Sequence, residues 1–194
     1  MTKIRNVLAT AAICLVAAPV TVFAADTYTI DPMHVQTLFA VSHLGYSTVT
    51  GGFKDVKGTL LIDDKKPQNS SVDVTIAAAS LDTGVGARDN DLKSPAFFDI
   101  QKFPSITFKS TKVKRTGDKT ADVEGDFTLH GVTKPLTLKV ELNREAPDQM
   151  RANKTVIGFS AKAKLKRSDF GMSTYVPYIG DEVNLTINVE ALKQ

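Results

Sequence analysis

Residues 157–165, with the sequence IGFSAKAKL, decide the fold of this chain. Every second residue of the stretch is apolar, and the positions between them carry glycine, serine and lysine. Successive side chains of a β-strand point to opposite faces, so this strand has one apolar face and one polar face. Such alternation is typical of antiparallel strands that bury one face and expose the other to water.

The same alternation recurs along most of the chain. Apolar rows with this period occupy residues 35–43, 72–78, 123–129, 136–142 and 183–191. Turn-forming glycine, proline and aspartate residues separate the rows, at 51–52, 63–67, 116–118, 130–135, 147 and 180–181. With a further short strand at residues 27–30, the pattern predicts roughly eight strands.

One segment, residues 86–99, breaks the pattern. Residues 88–93, with the sequence RDNDLK, predict a short helix that ends before Pro95. Its apolar Leu92, with Phe97 and Phe98 just after it, could cover one end of a barrel. No composition shift, long linker or internal repeat indicates a second domain.

Eight strands and one short helix pack economically as a sandwich or as a closed barrel. A barrel pairs the terminal strands and removes exposed edges, so the expected fold is all-β: an eight-stranded antiparallel barrel with a short helix near one mouth. A barrel of this size is filled by side chains or holds one slender ligand. Small residues in the apolar rows favour open space, although they also accommodate curvature; they are Ala78, Gly125, Ala161 and Ala163.

The first 24 residues read as an export signal. Lys3 and Arg5 precede an apolar run over residues 7–22, and cleavage is expected after Ala24. An uncleaved membrane anchor is the competing interpretation. The mature domain is then residues 25–194, which we expect to be exported. The only cysteine, Cys14, lies in the leader, so the mature chain has no thiol for disulfides, nucleophilic catalysis or metal binding.

The charge balance argues against nucleic acid as a partner. Without Lys3 and Arg5, the 24 basic residues fall to 22, against 21 acidic residues. One basic cluster, at Lys162, Lys164, Lys166 and Arg167, reads as the wet face of a strand. The alternative is transient docking on an anionic membrane surface.

A few polar residues are candidates for ligand contact. His43 ends the row formed by Val35, Phe39 and Val41, where it would either meet a ligand at the barrel mouth or bond to backbone. Arg88 and Asp89 open the helical segment, and would either bind a polar head group or pair locally to fix the helix. The histidines lack close metal-ligand spacing, so no metal site is expected. No serine lies in a nucleophile motif.

The aromatic supply fits either a filled core or an apolar tunnel. The phenylalanines expected to line such a tunnel, together with Val41 and Leu92, are Phe39, Phe97, Phe98, Phe108, Phe127 and Phe159.

Several motifs along the mature chain resemble the YceI-like family. They include the opening blocks 28–34, 41–47 and 51–53, then 81–84, 88–94, 97–99, 103–108, 129–135 and 166–172. The resemblance implies a lipocalin-like antiparallel barrel, usually periplasmic, that binds polyisoprenoids or related long-chain amphiphiles. One departure is visible: Asp91 stands where the family often has histidine, which bears on the head group preferred.

We therefore expect a periplasmic binding protein that carries or sequesters a polyisoprenoid or similar lipid without catalysis and without a cofactor. Two rivals stay open. One is an enzyme acting on an isoprenoid lipid through His43, Arg88 and Asp89, and the other is a non-lipid interaction or stress module with a filled core. A homodimer is also compatible with the sequence.

Overall fold

The computed structural model describes residues 25–194, so the expected leader at residues 1–24 lies outside the described part of the chain. These described residues form ten strands and one α-helix. The strands are β1 (Asp26–His43), β2 (Ser47–Phe53), β3 (Val56–Ile62), β4 (Ser71–Ala77), β5 (Leu81–Asp82), β6 (Ser105–Arg115), β7 (Thr120–Leu129), β8 (Val132–Asp148), β9 (Lys154–Lys166) and β10 (Ile179–Lys193), and the helix is α1 (Gly86–Lys93). Short 3-10 helices lie at Pro67–Asn69, Ala78–Ser80, Gln149–Arg151 and Arg167–Phe170.

The strands close into an antiparallel barrel. Eight of them form the ring, in the order β1, β3, β4, β6, β7, β8, β9 and β10, and β10 pairs back onto β1. β2 continues the line of β3 along the second half of β1, and the two-residue β5 pairs with β2. This confirms the expected eight-stranded barrel, and pairing of the terminal strands removes the free edges that an open sheet would expose.

The first strand is longer than the sequence pattern indicates. Residues 27–30 and 35–43 were expected as two adjoining strands, but both belong to β1. Its pairing with β10 changes register between Ile30 and Val35. The irregular segment between them keeps the backbone extended while shifting which residues face the interior.

Two buried apolar clusters form the walls of the barrel. One lies on β6, β7 and β8 together with Ala163 of β9, Phe170 and Met172. The other joins β1, β3, β9 and β10 around Tyr28 and Ile157, which are among the most buried side chains of the described residues.

The connections divide the barrel into two different ends. The helix end carries α1 and the connections at residues 44–46, 78–104, 130–131 and 167–178. The turn end, opposite, carries the connections at 63–70, 116–119 and 149–153. Among residues 25–194, no helix combines the length and apolar character needed to cross a bilayer.

Candidate ligand-binding cavity

The barrel encloses a cavity of about 430 Å³. This volume lies within the usual range for small-molecule sites, about 300–1,000 Å³. Every strand of the eight-membered ring contributes lining residues, and most of them are aliphatic or aromatic. The inward apolar rows thus face open space as well as one another.

Incomplete burial of these rows marks the empty region. Inward residues of a filled barrel would be buried, but many lining residues here are only half-buried. They include Val35, Thr37, Phe39 and Val41 of β1, Val72, Val74 and Ile76 of β4, Leu138, Val140 and Leu142 of β8, and Val183, Leu185, Ile187 and Val189 of β10. Their exposed area lies inside the barrel, where an apolar ligand could cover it.

Most residues expected from the sequence to contact a ligand line this cavity. The eight that do are Phe39, Val41, Leu92, Phe97, Phe98, Phe108, Phe127 and Phe159. The polar members of the set, His43, Arg88 and Asp89, are not among the lining residues. The apolar residues of the predicted site therefore lie together around the cavity, whereas its polar residues do not line the cavity.

Arg88 and Asp89 both bind the segment that precedes the helix. Arg88 Nε donates to Thr83 Oγ1 at 2.8 Å and its Nη2 donates to the Thr83 carbonyl at 3.0 Å. Asp89 accepts from the amide of Thr83 at 2.8 Å and from its hydroxyl at 2.6 Å. These bonds favour the alternative in which the two residues fix the helix, and a head-group contact by Arg88 stays a prediction. His43 closes β1 between Ser47 and Ile179, and its ligand contact likewise stays a prediction.

The small residues of the apolar rows have different roles. Ala161 lies on β9 and lines the cavity. It is paired with Val140 of β8 on one side and with Ile187 of β10 on the other. Gly125 instead lies under an aromatic ring, since a Cβ built there would be 2.5 Å from Phe108 Cζ. The space over Gly125 is therefore filled by Phe108, and only some of the small residues leave room for a ligand.

Aromatic contacts close much of the helix end. Phe53 packs against Phe39 and Phe98, with ring centroids 6.1 and 5.6 Å apart. Phe97 packs against Tyr175, at 6.1 Å. Separations of this size are typical of stabilising aromatic pairs, so these rings hold the segment after α1 over the barrel.

Polar side chains line the cavity at the turn end. They are Asp63, Asp64, Ser70, Ser71, Arg115, Asp118, Lys119, Thr120 and Glu145. Asp64, Asp118 and Lys119 are exposed, so the cavity reaches the surface here. Glu145 accepts a 2.5 Å hydrogen bond from the buried Tyr28 hydroxyl. The pKa of Tyr28 is raised, mainly because the hydroxyl is buried and secondly because the Glu145 carboxylate is beside it. Sequence reasoning missed this polar end because its members come from separate turns and from the ends of different strands.

Arg167 is a buried cation at the helix end, where it lines the cavity. Its side chain donates to three main-chain carbonyls: Nε to Gly180 at 2.9 Å, Nη1 to Met172 at 2.7 Å and Nη2 to Ile179 at 2.9 Å. Burial lowers the pKa of the guanidinium, and the nearby Asp181 opposes that shift. Interpreting Arg167 as part of a wet face was wrong, because the residue is 7% exposed. The alternation itself carried the signal, since the period that turns Leu165 inward also turns Arg167 inward.

A cluster on β1 and β10 has the composition of a cation site but already contains a cation. Ligand atoms of Asp31, His34 and Glu190 lie within 4.8 Å of one another. Arg151 Nη2 is 2.7 Å from Asp31 Oδ2 and 3.5 Å from Glu190 Oε2. Burial alone would raise the pKa of Asp31. This effect is outweighed by hydrogen bonds from His34 and the Met33 amide and by the positive charge of Arg151, so the pKa lies below its usual value. The guanidinium takes the place that a metal ion would occupy.

Comparison with known proteins identifies a family over most of the chain. The YceI-like domain matches residues 28–191. "Protein YceI" of Salmonella arizonae is 41% identical over 172 residues, which cover 88% of either chain.

Two solved structures share the fold. The crystal structure of Burkholderia cenocepacia BcnA superposes with a TM-score of 0.75 at 21% identity, covering 83% of this chain and 98% of that one. A polyisoprenoid binding domain from Saccharophagus degradans, implicated in plant cell wall breakdown, gives a TM-score of 0.66 at 15% identity and covers 89% of this chain and all of that one.

Proposed function

Because this chain belongs to the YceI-like family, we propose that its barrel binds the apolar chain of a long amphiphilic lipid, in particular a polyisoprenoid, and leaves the lipid chemically unchanged. The observation that carries the proposal is the cavity of about 430 Å³, walled by apolar rows that are inward-facing and yet only half-buried. A slender hydrocarbon chain would cover those rows.

Burial of the chain supplies enough free energy for binding without many polar contacts. Each methylene moved from water into an apolar site contributes about 0.8 kcal/mol. A chain with ten buried carbons therefore gains about 8 kcal/mol before the cost of ordering is subtracted. The solved polyisoprenoid binding domain with the same fold supports an isoprenoid as the chain.

Binding without turnover fits the residues that line the cavity. Among the described residues, the lining includes neither histidine nor cysteine, and its carboxylates lie at the turn end, away from the apolar middle. Its buried arginine is bonded to main-chain carbonyls. We propose further that the protein works in the periplasm, on the strength of the basic and apolar pattern of residues 1–24.

The proposal is tested by identifying what the protein carries. The full chain is expressed with its own leader, purified gently from the periplasmic fraction and weighed by native mass spectrometry. We expect a near-stoichiometric adduct that organic solvent removes and that fragments as a polyisoprenoid. A bare polypeptide mass, with no uptake of added geranylgeraniol, would contradict the proposal and favour an interaction module.

A further inference from the structure

Arg167 is the one strongly buried arginine among the described residues that line the cavity, and it forms no salt bridge with any of the described carboxylates, although Asp181 is close enough to act on its charge. The residue is 7% exposed. None of the ion pairs among the described residues includes it. The carboxylate of the nearby Asp181 accepts instead from the amide and the hydroxyl of Ser168, at 2.9 and 2.8 Å. A buried charge without a paired charge is costly, so it needs another source of stabilisation.

The hydrogen bonds of Arg167 satisfy only part of its donor capacity. A guanidinium has five N–H groups. Three of them donate to the carbonyls of Met172, Ile179 and Gly180, which leaves two without an acceptor among the described residues. Met172 and Ile179 also line the cavity, so the guanidinium is held at the cavity wall rather than behind it.

The opposite end of the cavity has the reverse electrostatic character. Its lining contains four carboxylates, from Asp63, Asp64, Asp118 and Glu145, against the two cations of Arg115 and Lys119. Arg115 is further engaged with the carbonyls of Gly117 and Asp118. An anionic group would be disfavoured at the turn end and favoured at the helix end.

We propose that Arg167 binds the polar head of the amphiphile, and that this head is an oxygen acceptor, preferably an anionic phosphate or carboxylate. The inference rests on the proposed function, since it concerns the same cavity. Planar guanidinium groups match such oxyanions in geometry, and the two remaining N–H donors would be satisfied by the head group. The apolar chain then runs from the helix end along the half-buried rows toward the turn end.

The competing explanation is that Arg167 only braces residues 171–180 through its three carbonyl bonds. A brace predicts equal effects on every ligand, whereas a head-group contact predicts effects that depend on the charge of the head. Three probes with the same twenty-carbon chain separate the two: geranylgeranyl phosphate, geranylgeraniol and geranylgeranylamine. Their dissociation constants are measured with delipidated wild-type protein, so that this part of the test does not depend on how any variant folds.

In the wild type we expect the phosphate to bind about ten- to a hundredfold more tightly than the alcohol, and the amine to bind most weakly. Equal binding of the three, or tighter binding of the amine, would overturn the head-group role while leaving the lipid carrier intact. Absence of binding by all three would instead overturn the proposed function and this inference with it.

Variants then assign the preference to the residue. Arg167→Met should remove the advantage of the phosphate over the alcohol, and Arg167→Lys should keep part of it because the positive charge remains. Lys164→Met is the matched control: it removes a cation three residues earlier, near the end of β9, but an exposed one that pairs with Glu182 at 2.8 Å. It should leave all three constants unchanged. An unchanged phosphate preference in folded Arg167→Met would refute the assignment.

Discussion

Filling the cavity from its wall should weaken lipid binding strongly at little cost in stability. Ala161 suits this test because it lines the cavity at mid-strand, opposite Val140 on one side and Ile187 on the other. In Ala161→Trp the indole would occupy space that the ligand chain otherwise takes. If it displaces about four chain carbons, the loss is about 3 kcal/mol, or roughly a hundredfold in Kd.

The same substitution has a different consequence if the barrel interior is already filled. A large side chain forced into a packed core strains it by about 1–3 kcal/mol. For a domain of this size, each kcal/mol corresponds to about 2–4 °C in Tm. An empty cavity accepts the ring with a much smaller fall in Tm.

Two measurements on each protein distinguish these cases: titration with geranylgeraniol and thermal denaturation of the delipidated form. Lys162→Trp is the matched control, because it places the same ring one residue away on the exposed face of β9. We expect weak binding and a nearly unchanged Tm for Ala161→Trp, and no change for Lys162→Trp. A large fall in Tm with unimpaired binding would refute the placement of the ligand.

Three further predictions concern the helix brace, acid stability and ring packing. Arg88→Met should weaken geranylgeranyl phosphate and geranylgeraniol by the same factor and lower Tm, because Arg88 binds Thr83; in titrations, a loss confined to the phosphate would show a head-group contact. Since the pKa of Asp31 is lowered in the folded state, its contribution to the free energy of unfolding is present above about pH 4 and is lost as pH falls further. Urea unfolding across that range should show a shallower pH dependence for Asp31→Asn, and equal slopes would contradict it. Gly125→Ala places a methyl group 2.5 Å from the Phe108 ring and 2.6 Å from the Lys109 carbonyl oxygen, and should cost about 1–3 kcal/mol by thermal denaturation. An unchanged Tm would show that both the ring and the backbone of β6 can shift without cost.

The barrel and its apolar interior could be predicted because both follow from local stereochemistry. In a β-strand every second side chain lies on the same face, and the apolar residues of rows such as 157–165 occur at that spacing. Closure of the barrel could be predicted because the terminal strands of an open sheet would leave backbone N–H and C=O groups unpaired at its edges. The interior positions of Phe39, Phe127 and Phe159 followed from their place in these rows.

The polar parts of the site could not be predicted in the same way, because they depend on register and on turns. Glu190 reaches His34 only through the pairing of β10 with β1, in which Val189 lies opposite Val35. Arg88 was expected at a barrel mouth, but its bonds to Thr83 depend on the turn before α1. Neither relation has a repeating signal in the sequence. Arg167 is the exception. Its inward orientation followed from the two-residue period of β9, but the neighbouring lysines led to its assignment to the exposed face.

The empty middle of the barrel is compatible with a stable fold because its stability comes from elsewhere. Continuous antiparallel pairing around the ring satisfies the backbone, and the two buried clusters supply apolar burial in different parts of the barrel. The half-buried rows between them contribute less than they would in a packed core, since they lack close contacts on their inner side. An apolar chain bound in the cavity would cover this exposed apolar surface, and the free energy of that burial would favour binding. A ligand that binds only the folded barrel also stabilises it, by about 2.7 kcal/mol at a hundredfold excess over Kd. If the barrel binds a lipid as proposed, loss of that lipid should lower the stability of the fold, because the bound chain would complete the packing of the core.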